Sequence, residues 1–145
     1  MIKFCFKALL LAVLLHSVHA CATPLPPQPS EKLMTVTLGG QLLSLVDAKG
    51  QCALLKEDGS TQLTNIAWPC RFSPNRAGES RVEVYQSIPI VLVEHCEPSS
   101  EVAAGQRQSQ AIRLRAERYE TSTVNTSRCG SGVQDQKMFT ALFRW

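Results

Sequence analysis

His95 is the side chain best suited to moving a proton near neutral pH, and it stands in Glu94-His95-Cys96-Glu97, four residues that can all ligate a metal. The other two histidines, His16 and His19, lie at the end of an apolar run near the N-terminus. A hydrolase of the serine class needs a nucleophile beside a base, yet no serine sits in a Gly-x-Ser-x-Gly setting. A strand turns successive side chains to opposite faces, so a β reading separates Glu94 and Cys96 from His95 and Glu97 and argues against a metal site. No two cysteines have Cys-x-x-Cys spacing. Glu117, Glu120 and Asp135 could supply a carboxylate pair for sugar hydrolysis, but almost any chain of this size offers such pairs. The expectation is a protein without a catalytic centre, a metal or a cofactor.

The cysteines carry a different chemistry. Residues 1–20 read as a signal peptide: Lys3 and Lys7 precede the apolar run Ala8 to Leu15, and the small Ala20 stands just before Cys21. That run is shorter than the roughly 20 residues a bilayer span needs. Val18-His19-Ala20-Cys21 resembles the lipobox of bacterial lipoproteins, which implies cleavage before Cys21 and its lipidation; His19 departs from the usual small or apolar residue there. Simple periplasmic secretion by an ordinary signal peptidase is the alternative. Removal of Cys5 with the signal leaves Cys21, Cys52, Cys70, Cys96 and Cys129, an odd number for an oxidising compartment. Lipidation of Cys21 leaves four, which allow three pairings. The favoured one is Cys52 with Cys70 and Cys96 with Cys129, since each bridge then links neighbouring segments without crossing the other.

Residues 21–30 hold four prolines and read as an extended tether, at roughly 3.1 Å per residue, between a membrane anchor and the folded part. Ala22, after the lipid-bearing cysteine, resembles the small residue of lipoproteins sent to the outer membrane. The remaining residues, 31–145, suffice for one domain with one core. Without Lys3 and Lys7, thirteen basic residues face twelve acidic ones, so net charge makes no case for nucleic acid as a partner.

The elements that must position these residues are strands. Gly39-Gly40 separates Thr35–Leu38 from Leu42–Val46, and Asp58-Gly59 separates Cys52–Glu57 from Ser60–Ile66; both dipeptides accept the positive φ of hairpin turns. Arg81–Tyr85 alternates, predicting a half-buried strand with Val82 and Val84 inward. Ser87–Glu94 is a continuous branched apolar run that suits a central strand, its start held to an edge or bulge by Pro89. Gln110–Arg118 alternates again, with Ile112, Leu114 and Ala116 inward and Arg113, Arg115 and Glu117 outward. Thr121–Ser127 is β-compatible, its hydroxyls expected to face water, and returns Cys129 towards Cys96. Ser99–Gln108 reads as a polar loop, and Gln136–Phe143 as one short helical turn or the last strand. The prediction is a mostly β domain: a single small antiparallel meander or sandwich of about seven strands, at most one short helix and two disulfides. Trp68 is expected to pack on the Cys52–Cys70 bridge.

A small β body without catalytic groups most readily acts by presenting a loop or a face to a partner. Two polar segments are the candidates: Asn75, Arg76, Glu79 and Ser80 in one, Arg118, Tyr119 and Glu120 in the other, with arginine and tyrosine as frequent anchors. The lipobox-like Val18-His19-Ala20-Cys21, the proline tether and the two-disulfide β domain together resemble the periplasmic lipoprotein immunity proteins that guard bacteria against type VI secretion effectors of the muramidase type. The resemblance is one of layout and carries no diagnostic motif within the domain. It implies an outer-membrane lipoprotein facing the periplasm that forms a one-to-one complex with a cell-wall hydrolase effector and occludes its substrate groove. A structural lipoprotein of an envelope assembly or secretion machine is the alternative.

Overall fold

Gly39 and Gly40, at φ 61° and 82°, reverse the chain between β1 (Thr35–Leu38) and β2 (Gln41–Asp47) in the computed structural model, which describes residues 30–98, 105–130 and 132–145. The signal peptide, Cys21 and all of the tether but Ser30 lie outside the described residues, as do residues 99–104 of the polar loop expected over Ser99–Gln108, whose last three residues belong instead to a strand. Ser30 opens a short 3-10 turn over Glu31–Leu33. β2 turns through Ala48–Gly50, where Asp47 Oδ1 accepts the Gly50 N–H at 2.7 Å, into β3 (Gln51–Lys56). The Asp58-Gly59 hairpin then leads to β4 (Thr61–Ala67), and the four form one antiparallel sheet in chain order. Its last turn is a four-residue loop closed by Lys56 N–H donating to Ser60 O at 2.9 Å.

The second sheet is built on β7 (Ile88–Glu97). One edge of β7 pairs with the two-residue β5 (Arg71–Phe72) and with β6 (Val82–Tyr85), and the other with β8 (Gln106–Arg115), which pairs with β9 (Arg118–Arg128). Central placement of the branched apolar run is as expected: Ile90 to Val93 are fully buried. The described residues thus hold nine strands rather than about seven. Only β5 has no counterpart among the segments read as strands; the expected Gln110–Arg118 strand ends at Arg115, and Ala116 is no inward strand residue but sits in the turn from which β9 starts two residues later.

Val36, Leu38, Leu43, Leu45, Leu54 and Ile66 of the first sheet meet Phe72, Val91, Val93 and Ile112 of the second, and this apolar layer fixes the strand registers of both. Cys52 and Cys70 lie within it, and Trp68 packs against it. The other face of the second sheet, which a two-layer sandwich would leave to water, is covered by the C-terminal segment. Phe139 of α1 (Lys137–Thr140) is buried on Ile90, Leu92 and Ala111, with Met138 and Phe143 beside it. The short helical turn is therefore the realised form of Gln136–Phe143.

Alternation in β6 is present, but its covered side is the reverse of the expected one. Glu83 is half-buried among Arg81 and Gln136, while Val82 and Val84 are 38% and 61% exposed. Val82 pairs with Val91 and so faces the inter-sheet layer, but it lies on the open edge, beyond the cover of the first sheet.

Both predicted disulfides are formed, Cys52–Cys70 and Cys96–Cys129. Cys52 follows the β2–β3 turn and Cys96 ends β7, so both bridges sit at one end of the strands. Four hairpin turns crowd the opposite end: Gly39-Gly40, Glu57–Ser60, Gln86-Ser87 and Ala116-Glu117.

Candidate functional site

The hairpin end is knit together across the two sheets. Tyr119 Oη hydrogen-bonds Gln41 Oε1 at 2.6 Å, Gln62 Nε2 donates to Tyr119 O at 3.3 Å, and Lys56 Nζ lies 5.4 Å over the Tyr119 ring. Gly39 presses so closely on Leu114 that a side chain there would strike Leu114 Cδ2, which explains glycine at that position beyond its φ. Partial burial, and then the nearby carboxylates Glu57 and Asp58, push the Tyr119 phenol above its ordinary 10.0. Asp58 in turn is held below its ordinary 3.8 by its bonds to Ser60.

On the other face of the β8–β9 hairpin, Arg113 bonds Glu120 at 2.7 Å. Its guanidinium is stacked 4.3 Å from the Phe143 ring and 4.9 Å from the Trp145 ring. Trp145 meets Tyr85 edge to face with centroids 4.7 Å apart, and its indole N–H donates to Thr140 O at 2.8 Å. The Arg113 hydrogen bond, followed by the charges of Arg113, Arg115 and Arg118, holds the Glu120 carboxyl below its ordinary 4.5. Arg113 was expected in water; the C-terminal segment buries it instead.

Of the seven candidate contact residues, Arg118, Tyr119 and Glu120 stand at the hairpin end. Asn75, Arg76, Glu79 and Ser80 stand apart from them, on the flank of β7 between β5 and β6. That loop closes on itself: Asn75 Oδ1 accepts the N–H groups of Ala77 and Glu79 at 2.8 and 3.0 Å, and Ser80 Oγ donates to Lys32 O at 3.0 Å. Lys32 precedes β1 and Gln41 follows it, so the two candidate segments are held at opposite ends of β1. Glu79 and Ser80 border a groove of about 430 Å³ with Thr35, Thr37 and Leu42; Arg76 borders a separate hollow of about 420 Å³ with Arg81, Val133 and Asp135.

The groups suited to chemistry are dispersed. His95 Nδ1 is bonded to Pro69 O at 2.7 Å, Cys96 is in a disulfide, and Glu94 lies on the face of β7 opposite His95, 3% exposed. Glu94 is paired there with Arg71 at 2.9 Å and Arg107 at 3.7 Å. Beside it, the buried hydroxyls of Ser73 and Ser109 have no hydrogen-bond partner among the described residues. Glu117 occupies a turn, Glu120 is taken up by Arg113, and Asp135 Oδ1 accepts the Lys137 N–H at 3.1 Å. Among the described residues no group of three His, Cys, Asp or Glu is placed to hold a metal ion, and no helix is long and apolar enough to cross a membrane.

The sequence pattern missed two members of the hairpin end. Arg115 was read as one more solvated strand residue, and Trp145 had no neighbour in sequence to reveal its contact with Tyr85. Comparison with family models, with curated proteins and with solved structures finds no match to this chain.

Proposed function

We propose that this protein is a non-catalytic binding module of the bacterial periplasm that neutralises a peptidoglycan-degrading toxin by seating its hairpin end in the enzyme's substrate groove. The observation that carries this reading is the convergence of four hairpin turns at the end of the strands opposite both disulfides. Turns gathered at one end of a strand body form a projecting edge of the kind that can enter a cleft. Cross-sheet ties through Tyr119 hold it in place before binding, which lowers the ordering cost of association. The disulfides suit an oxidising compartment, and Cys21 with its proline tether would anchor the module to the outer membrane. On this reading Arg118, Tyr119 and Glu120 meet the partner, and Asn75, Arg76, Glu79 and Ser80 reach it only if the contact extends along the flank.

The test is to express the tagged mature protein in the periplasm of its own host and identify what co-purifies. A peptidoglycan hydrolase in one-to-one ratio, inhibited on adding the purified protein, supports the proposal; a hydrolase that retains full activity in the complex counts against it.

A second reading, a structural lipoprotein of an envelope assembly or secretion machine, draws on the exposed Val82 and Val84 at the edge of the second sheet. An apolar edge strand can add a strand from another subunit. Recovery of assembly subunits in place of a hydrolase would favour it.

A further inference from the structure

The β8–β9 turn breaks two local rules at once. Arg115 and Arg118 are directly opposite partners, the last pair before the turn, and both are exposed; like charges so placed weaken a hairpin. The two residues between them, Ala116 and Glu117, have φ 48° and 60°, a region that side-chain-bearing residues avoid and that Asn-Gly normally fills.

The surroundings offset the repulsion only in part. Arg113 lies two residues before Arg115 on the same face, so three guanidiniums flank the single carboxylate Glu120, which bonds Arg113. Among the described residues Arg115 and Arg118 enter no ion pair. Further anions at this end include Glu117 in the turn itself, and Glu57 and Asp58, which lie on the Tyr119 side of the hairpin. Local rules are broken in this way where binding rather than folding selects the residues.

We propose that Arg115 and Arg118 form a carboxylate-binding fork, and that its ligand is a pair of acidic side chains in the cleft of a protein partner. Guanidinium is suited to bidentate pairing with carboxylate. Directly opposite Cβ atoms lie about 5 Å apart, and two long arginine side chains rising from that base can reach carboxylates roughly 5 to 9.5 Å apart, the separation of the paired acids of glycoside hydrolases. The exposed rings of Trp145, which stacks on Arg113, and of Tyr85, which meets Trp145, stand at the same end of the second sheet as the fork and offer apolar area near the charged contact. This rests on the reading of the protein as a groove-occluding module and names the contact that would do it.

Poly-L-glutamate is the probe, followed by the Nε–Hε signals of the arginines in NMR spectra at low salt. Binding should move Arg115 and Arg118 and weaken at least tenfold in R115A/R118A, whose backbone amide spectrum should keep the dispersion of the folded sheets. Unmoved signals would overturn the fork. So would tighter binding, by tenfold or more, of a single-stranded oligodeoxynucleotide of equal charge or of phosphatidylglycerol vesicles. If a hydrolase is recovered and R115A/R118A inhibits it as well as the parent does, the fork is wrong while the module reading stands. If no hydrolase is recovered but poly-L-glutamate binds through both arginines, the fork stands without that partner.

Discussion

Tyr119 and Gln41, 78 residues apart, share a 2.6 Å hydrogen bond that ties the β8–β9 hairpin of one sheet to the β1–β2 turn of the other. Gln41 is exposed, so water can replace the phenol. Tyr119→Phe should therefore cost only about 1 kcal/mol at neutral pH, read from urea unfolding. The pH dependence is more diagnostic. The folded-state value of Tyr119 lies above the unfolded 10.0, so between the two the folded protein keeps a proton that the unfolded chain has lost. Stability from this group is full below about pH 10 and falls as the pH rises past it; unfolding curves from about pH 9 to 11 should be flatter for Tyr119→Phe than for the parent. Equal slopes would show that Tyr119 is not held as described.

Glu94 is a buried charge held between two arginines on the second sheet. It is 3% exposed between Arg71 and Arg107, and Arg107, 4% exposed, also donates through Nη2 to Gly130 O at 2.5 Å. Glu94→Ala strands the Arg107 cation in the interior and should cost about 3–5 kcal/mol, whereas Glu94→Leu combined with Arg107→Met should recover much of that loss. Denaturant midpoints of the single and double variants decide it; a loss below about 1 kcal/mol for Glu94→Ala would mean that water reaches Arg107.

The two disulfides should differ in reactivity. Cys52 and Cys70 are buried in the inter-sheet layer, whereas Cys96 is exposed. A thiol reductant under native conditions should open Cys96–Cys129 first, and alkylation followed by peptide mapping would show the order. The bridges close loops of 18 and 33 residues, so replacing either pair by serine should cost roughly 3–4 kcal/mol. Before reduction, thiol labelling of the denatured chain from Glu31 onward should find no free cysteine.

What could be read from the sequence, and what could not, follows from how local the physics is. Gly39-Gly40 and Asp58-Gly59 reveal their turns because the residues themselves tolerate positive φ. Gln86-Ser87 and Ala116-Glu117 adopt similar backbone with no such chemistry; of the first only Gln86 falls between two expected strands, with Ser87 taken into the next one, and the second vanishes into an alternating run. Arg71-Phe72 is too short to show a period. Alternation states which residues share a face, not which face is covered; hence Val82 and Val84 were assigned inward, and Arg113 outward although Phe143 and Trp145 fold over it. For the same reason Arg118 and Tyr119 were visible as residue types that are frequent anchors, while Arg115 became conspicuous only when the register set it against Arg118.

The backbone of that last turn offers the sharpest check. Ala116 and Glu117 stand at φ 48° and 60°, where each non-glycine residue loses about 1–2 kcal/mol relative to its preferred conformation. Ala116→Asn with Glu117→Gly leaves Arg115, Arg118 and the strand register untouched while supplying the residues this turn favours. The double variant should be more stable by about 1–2 kcal/mol, a gain large enough to raise the melting temperature by several degrees. Gln86→Asn with Ser87→Gly at the neighbouring hairpin is the control for strain without the paired arginines. Adding Arg118→Thr should raise stability further by a few tenths of a kcal/mol, because it removes the repulsion across the pair. An unchanged melting temperature in the turn variant would mean that the chain relaxes these dihedrals in solution. A fall on adding Arg118→Thr would mean that Arg118 contributes to folding through a contact of its own, and the turn's departures from preferred chemistry could then no longer be attributed to binding.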